Sequence, residues 1–571
     1  MITNKSMIIK QFIKYQKATL ILVFLLAFFQ GVKSQTTPYS EEITIIAPYK
    51  PTISDAYKLT ISPRIAPPKM DKPAFNYTIQ STPFKTNIQP KNIKPVSIIG
   101  EPLSKLHRNF IKAGFGNYKT PYIEFFAHSL RSKKRSLGVH LKHLSSGDLK
   151  NYPNSSQSDS KIDLTSTKYL KNHDLHGNVI FKRNVVHHYG LGGPFPENYD
   201  VTKEFLKQRF ITTGADVGFS SRYLQSSKLN HSLNFNYNYM FDLFKSSEHN
   251  LNIKADINHD VKIFEVIKKQ NLGFETHLDL YRNKDTLNTN TGSVLTFKPY
   301  FSTSFNEYSF FFGIKTSIQL DSISKAHFYP LAEVKLSIIP ETLKAWLGFS
   351  GEIYKNSFRS FSTENPFIIS TIPLEYTNNT FKLYGGLSSR IGKFIDFKLS
   401  LDGSTINNLP LFVNDTSTQQ NRDLYNQFTV VYDATKLFHG KAELIFQDAG
   451  KYLFIVSADI FKYDVEAELE AWHKPMYDIS FVGQYNIQDK FIIDGGFVIV
   501  GKSYARNFQE GKVIPKQLDG FIDINLALEY RYSQQLSGFI NLNNIANVEY
   551  FRWNNYASQR FNFLIGVMYS F

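Results

Sequence analysis

Apolar and polar side chains alternate with a period of two through the last fifty residues of the chain. In 521–532 the even positions Ile522, Ile524, Leu526, Leu528, Tyr530 and Tyr532 are apolar, whereas Asp523, Asn525, Glu529 and Arg531 fall on odd positions. Successive side chains of a β-strand point to opposite faces, so this spacing predicts strand rather than helix. The alternation restarts at Leu536 after Ser533-Gln534-Gln535, and again at Phe561, running through Phe563, Ile565, Val567 and Tyr569 to Phe571. A strand of about eleven residues tilted by about 45° spans roughly 26 Å, the apolar height of a transmembrane β-barrel. A soluble sandwich with one buried face gives the same alternation.

Two observations separate these readings. From residue 107 onward the chain falls into 24 countable alternating runs, among them 427–432, 441–446 and 465–472. The long connections are 145–160, 187–206, 283–292, 355–379, 405–426, 501–518 and 545–559, and all seven fall on one side of the strand series, while turns such as Gly392-Lys393-Phe394 fall on the other. A barrel with short turns at one rim and long loops at the other sorts loop lengths in this way. A sandwich has no reason to.

Asn541-Leu542-Asn543-Asn544-Ile545, then Glu549-Tyr550-Phe551, Gln559-Arg560-Phe561 and the closing Tyr569-Ser570-Phe571 resemble the end of a TonB-dependent receptor barrel. The resemblance implies an all-β fold, a large antiparallel transmembrane β-barrel of about 22 strands (20–24) over residues 107–571 in the outer membrane. It also implies that the terminal aromatics Tyr569 and Phe571 are read by the barrel-assembly machinery.

The first 106 residues are less regular. Lys5, Lys10, Lys14 and Lys17 precede an apolar run from 18 to 29, and Val32-Lys33-Ser34 supplies modest residues before a cut at Gln35. Residues 1–34 therefore read as a secretory signal peptide, since the run is short for a membrane-spanning helix. Residues 35–106 hold 11 of the 23 prolines. Proline fixes φ and removes a ladder donor, so this is an extended periplasmic or luminal segment rather than a packed domain. The family normally carries a folded plug there, and this chain is too short for one. The pore is then open, or filled by residues 35–106 or by a partner. Within the segment, 41–48 resembles a TonB box, with Ile43, Thr44, Ile45, Ile46 and Ala47 offering a strand to a TonB-type energising protein; an ordinary strand is the other reading.

Composition adds limits. The 571 residues include 50 Phe, 33 Tyr and 3 Trp, an aromatic share of 15% that suits girdles at membrane interfaces. The absence of cysteine excludes a disulfide scaffold and thiolate metal sites. The net charge of +16 falls to +11 once the five signal-peptide lysines are removed. In an exported chain that excess points to outer-membrane lipid and lipopolysaccharide phosphates or to an anionic solute, and not to nucleic acid.

Candidate chemistry is sparse. Glu466, Glu468 and Glu470 alternate with apolar residues and would form a luminal acidic ladder on a strand. His187-His188 is the densest histidine pair, but neighbours on a strand point apart and chelate together only across a turn. No Gly-x-Ser-x-Gly elbow or HExxH motif occurs, so no catalytic, cofactor or metal residue is assigned and the chain does not read as an enzyme. The function this supports is transport of an unidentified solute across the outer membrane. A passive porin, or a structural or interaction barrel of an envelope assembly, is the alternative. On this reading Leu526→Arg is costly and Asn525→Arg nearly silent.

Overall fold

The computed structural model describes residues 108–129, 132–191, 202–223, 228–267, 269–321, 324–416, 426–509 and 512–571. Residues 1–34, expected to be a signal peptide, the proline-rich segment and Ile43, Thr44, Ile45, Ile46 and Ala47 lie outside the described residues.

Strands dominate. The first group is β1 (Asn109–Gly116), β2 (Thr120–His128), β3 (Arg135–Ser146), β4 (Gln157–Tyr169), β5 (His173–His187), β6 (Lys207–Ser221), β7 (Asn230–Phe241) and β8 (Ser247–Asp260). Next come β9 (Lys269–Lys284), β10 (Thr289–Phe305), β11 (Tyr308–Gln319), β12 (Lys325–Ile339), β13 (Leu343–Lys355), β14 (Tyr376–Ile391), β15 (Ile395–Asn414) and β16 (Phe428–Asp448). The series ends with β17 (Tyr452–Val465), β18 (Tyr477–Ile487), β19 (Phe491–Val500), β20 (Ser503–Gln509), β21 (Lys512–Leu518), β22 (Phe521–Arg531), β23 (Leu536–Asn543), β24 (Phe551–Trp553), β25 (Tyr556–Ala557) and β26 (Asn562–Ser570). Two short helices interrupt it, α1 (Lys203–Leu206) and α2 (Phe358–Glu364). Among the described residues no helix is long and apolar enough to cross a membrane.

Twenty-two of these strands form one antiparallel sheet in which each strand pairs with the next, and β26 pairs with β1 to close it. The ribbons β20–β21 and β24–β25 stand outside that sheet. Closure removes the unpaired edges that an open sheet would present. Two corrections to the run count bring 24 to 22. Runs 427–432 and 441–446 are one strand, β16, and run 465–472 is not a strand, because β17 ends at Val465. Connection 283–292 also shrinks to a tight turn, since β9 and β10 pair as far as Lys284 and Thr289.

Side-chain orientation follows the predicted parity. Leu526 and Tyr530 on β22 and Phe563, Ile565, Val567 and Tyr569 on β26 are exposed on the outer surface, whereas Leu564 on the opposite face is buried. Burying such a belt against hydrocarbon is what holds the barrel in a membrane.

The closing seam is built from glycine. Gly114 and Gly566 sit opposite each other in the β1–β26 register. A Cβ on Gly566 would stand 2.1 Å from the Ala113 carbonyl oxygen, so no side chain fits between the strands there. The Phe539 ring covers both glycines from the lumen and carries the Lys112 ammonium 4.2 Å from its centre. The first and last strands of the barrel meet at this seam: the Phe571 carbonyl accepts from the Asn109 N–H at 2.9 Å, and the Phe571 N–H donates to the Asn109 carbonyl at 2.9 Å. Both termini of the barrel thus lie at one rim, the terminus end. The long connections lie at the other, the loop end.

Candidate functional site

The loop end is covered by its own loops. Connection 356–375 folds inward, where Phe358, Phe361, Ile368, Ile369, Ile372 and Leu374 pack with Phe412, Phe428, Trp553 and Tyr556 in one buried cluster. Val186, Phe210 and Met240 join from β5, β6 and β7. These contributors come from well-separated sectors of the barrel, so the cluster bridges the mouth and forms a cap. Apolar burial of this kind, at roughly 25 cal/mol per Å², is what holds loops in place that carry no ladder of their own.

Specific polar contacts fix the cap. Ser357 caps α2 in a reciprocal box with Ser360, and the buried Glu248 carboxylate accepts from the Phe358 N–H at 2.6 Å and the Arg359 N–H at 3.4 Å. A carboxylate beside unpaired helix N–H groups satisfies them and complements the helix dipole. Phe428 donates its N–H to the Phe367 carbonyl and accepts from Ile369, both at 2.9 Å, which stitches the loop to β16. In the turn after β7, Asp242 accepts from the N–H groups of Phe244 and Ser246 and from the side chains of Gln208 and Ser370. Burial pushes its carboxyl above the usual range, and these hydrogen bonds offset part of that rise.

His473 ties three loops together. Its Nδ1 lies 2.9 Å from the Phe412 carbonyl and its Nε2 lies 3.3 Å from the Asn554 N–H, while its own N–H donates to the Tyr504 carbonyl at 2.8 Å. A carbonyl accepts and an N–H donates, so the partners require the neutral Nδ1–H tautomer. Complete burial holds the imidazole down to about 4. Neither this residue nor Glu248 carries a sequence motif; only their burial in the fold marks them.

The predicted acidic ladder does not form. Glu466, Glu468 and Glu470 lie in a bend beyond β17, where the Asp433 carboxylate accepts from the Ala467 N–H at 3.0 Å and the Glu468 N–H at 2.8 Å. A side chain takes the backbone donors that a neighbouring strand would need. Glu468 instead accepts from Trp472 Nε1 at 2.8 Å and pairs with Arg506 at 3.5 Å, tying this loop to β20. His187 and His188 are both buried at the cap's edge; His187 lies 2.6 Å from the Ser156 carbonyl, and the Asn426 amide donates to the His188 carbonyl. Among the described residues no group of three or more His, Cys, Asp or Glu is placed to hold a metal ion. Tyr569 and Phe571 stack at 5.7 Å on the outer face of the terminus end.

Inside the barrel, the wall of β7–β15 is charged and encloses a cavity of 1550 Å³. Lys298–Glu275 at 2.9 Å, Lys335–Glu333 at 2.8 Å, Lys315–Glu352 at 3.3 Å and Lys382–Asp402 at 3.3 Å are ion pairs along it. Lys298 also lies over the Tyr300 and Phe311 rings, and Lys398 over Trp346. Such a surface keeps water in the lumen and binds polar solutes weakly at many points, which passage requires.

No protein-family model matches the chain, and no curated protein matches it in sequence. Its structure is similar to the FrpB iron transporter (F3-3 variant) of Neisseria meningitidis, with a TM-score of 0.61 and 10% identity over 82% of each chain. It is also similar to the ferric-catecholate import receptor Fiu of E. coli K12 (TM-score 0.58, 10% identity, 82% of each chain). A third is the pyoverdine outer membrane receptor FpvA of Pseudomonas aeruginosa PAO1, with a TM-score of 0.59 and 11% identity over 82% of this chain and 79% of that one. The fold is the barrel of these outer-membrane receptors and transporters. At these identities the likeness establishes architecture, and the barrel expected from the terminal strands is present.

Proposed function

We propose that the chain is an outer-membrane transport barrel of the TonB-dependent receptor type, with its loop end outside the cell and its terminus end in the periplasm. The observation that carries this reading is an open lumen with a charged wall behind a folded cap. Charged side chains that stay partly exposed along an interior wall suit a conduit, whereas an anchor has no use for an open polar lumen. The structural neighbours, a ferric-catecholate import receptor, an iron transporter and a pyoverdine receptor, support solute uptake.

On this reading Ile43, Thr44, Ile45, Ile46 and Ala47 engage a TonB-type protein by strand addition, and Tyr569 and Phe571 serve assembly. The chain acts as a conduit rather than an enzyme. The experiment is solute flux into proteoliposomes containing the full chain, with and without deletion of residues 41–47 and an energised partner. Partner-dependent flux lost on deletion is expected. No flux under any condition, together with a stoichiometric partner bound through 35–106, would favour the scaffold instead.

A further inference from the structure

The outer face of β5–β9 sorts its charges by height. Asn184 and Val186 on β5, Gln208 and Phe210 on β6 and Asn283 on β9 turn inward, toward a luminal cavity or the buried cap. Successive side chains of a strand alternate, so Arg183, Lys207, Arg209, Arg282 and Lys284 point outward. They are the only Lys or Arg of outward parity on these five strands, and all stand at the loop end. Every carboxylate of the same strands, from Asp174 on β5 to Asp279 on β9, falls on the luminal parity instead. Lys207 pairs with Glu204 of α1 at 3.0 Å. Arg183, Arg209, Arg282 and Lys284 form no ion pair among the described residues, and Arg282 and Lys284 are exposed.

Register sets how these cations stand to one another. One row of the sheet joins Ile211, Phe241, Ser247 and Lys284, and the next joins Thr213, Tyr239, His249 and Arg282. Rows climb toward the loop end because the strands tilt. The row through Asp174, second residue of β5, passes Ser220, Ser232 and Asp256 and reaches Glu275, seventh residue of β9, a climb of five residues over four strands. At that slope Arg209, two residues above Ile211, and Arg282, two below Lys284, stand at one height. Three strand intervals separate them, roughly 19 Å of wall for a spacing of about 4.8 Å and a tilt of about 40°.

Between the two cationic groups lie rings. Tyr239 and His249 have centres 4.5 Å apart, Tyr239 and Phe241 5.6 Å, and the Tyr237 hydroxyl lies 2.8 Å from His249 Nδ1. Below them Val179, Val217, Phe235 and Tyr237 are exposed in the apolar belt. An aromatic girdle marks the height of lipid headgroups, and cations there attract phosphate, which arginine binds bidentately. One phosphate cannot touch both groups across that span. A headgroup that carries two phosphates on a rigid pair of sugars can, with its sugars over the rings and its acyl chains along the belt.

We propose that the loop end of β5–β9 is a seat for a bis-phosphorylated glycolipid of the lipopolysaccharide class, with Arg183 and Arg209 on one phosphate and Arg282 and Lys284 on the other. The inference rests on the proposed orientation, which sets the loop end in the outer leaflet.

The test is native mass spectrometry of the full chain released from detergent and titrated with bisphosphoryl lipid A, monophosphoryl lipid A and phosphatidylglycerol in turn. Preferential retention of the bisphosphoryl form is expected, weakened about fivefold by Arg209→Gln or Arg282→Gln alone and about 25-fold by both. The double variant should bind the two lipid A forms equally, and Lys436→Gln, an outward cation on β16, should change nothing. Heat-modifiability on gels confirms that each variant is folded. Equal retention of all three lipids by the parent chain, or a bisphosphoryl preference indifferent to both arginines, overturns the proposal. Either result leaves solute flux, measured separately in proteoliposomes, as the test of the transport reading.

Discussion

Asn525 Oδ1 accepts a hydrogen bond from the backbone N–H of Asn544 at 3.0 Å, across the luminal face between β22 and the loop after β23. Asn544 is itself buried, and its amide donates to the carbonyls of Val548 and Gln559. A residue read from parity alone as a bland luminal position is therefore the support for the turn that begins the last loop.

The consequence for mutation reverses the earlier expectation of silence. Asn525→Arg leaves the Asn544 N–H without its acceptor and should cost about 1–3 kcal/mol. Leu526→Arg, which places a charge in the lipid-facing belt, should cost about 2–4 kcal/mol near the midplane. Ala527→Ser, luminal and without such a contact, is the near-neutral control. Denaturant unfolding of the three variants in lipid vesicles measures all of these on one scale.

The glycine seam should tolerate no side chain. Gly566→Val drives a branched Cβ toward the Ala113 carbonyl and should block closure of β26 on β1. The measurement is the fraction of protein that reaches the heat-modifiable, folded form during refolding into vesicles. Gly538→Ala, where the nearest non-local atom to an added Cβ lies 4.0 Å away, should fold nearly as well as the parent chain.

The cap should loosen in acid. His473 is neutral when folded, with its pKa held down to about 4 by burial, while in the unfolded chain it titrates near 6.5. Between those values the unfolded loops bind the proton and the folded cap does not, so stability is full above about 6.5 and falls as pH drops toward about 4. The span corresponds to about 3 kcal/mol at most. Hydrogen exchange of the 466–476 and 551–557 segments should accelerate through that window, and His473→Gln should remove that part of the pH dependence.

Glu248 makes a second, independent claim about the cap. Glu248→Ala strips the acceptor from the Phe358 and Arg359 N–H groups at the start of α2 and should destabilise connection 356–375 by about 1–3 kcal/mol. In planar bilayers this should appear as more frequent open events at unchanged single-channel amplitude. Unaltered gating would mean that the cap is held by apolar packing alone.

How far the sequence carried is visible in particular strands. β22 and β26 were legible because every lipid-facing position is apolar. β16 was split in two because Lys436 and Gly440 occupy its outward parity and interrupt the apolar series. The 465–472 run failed for the opposite reason: its alternation is regular, but Asp433 captures the backbone donors and turns the chain aside. The cap was not legible, since its cluster joins residues as distant as Val186 and Tyr556 and no local period reports such a meeting.

Because the chain contains no cysteine, single cysteines can be placed one at a time along 521–531 and labelled in membranes. A fluorophore at each site, challenged in turn by a lipid-soluble and a water-soluble quencher, reports which side of the wall it occupies. Lipid quenching at 522, 524, 526, 528 and 530 and aqueous quenching at 523, 525, 527, 529 and 531 is the predicted result. Equal exposure to both quenchers along the strand, or the inverse alternation, would contradict the barrel and everything assigned to its lumen.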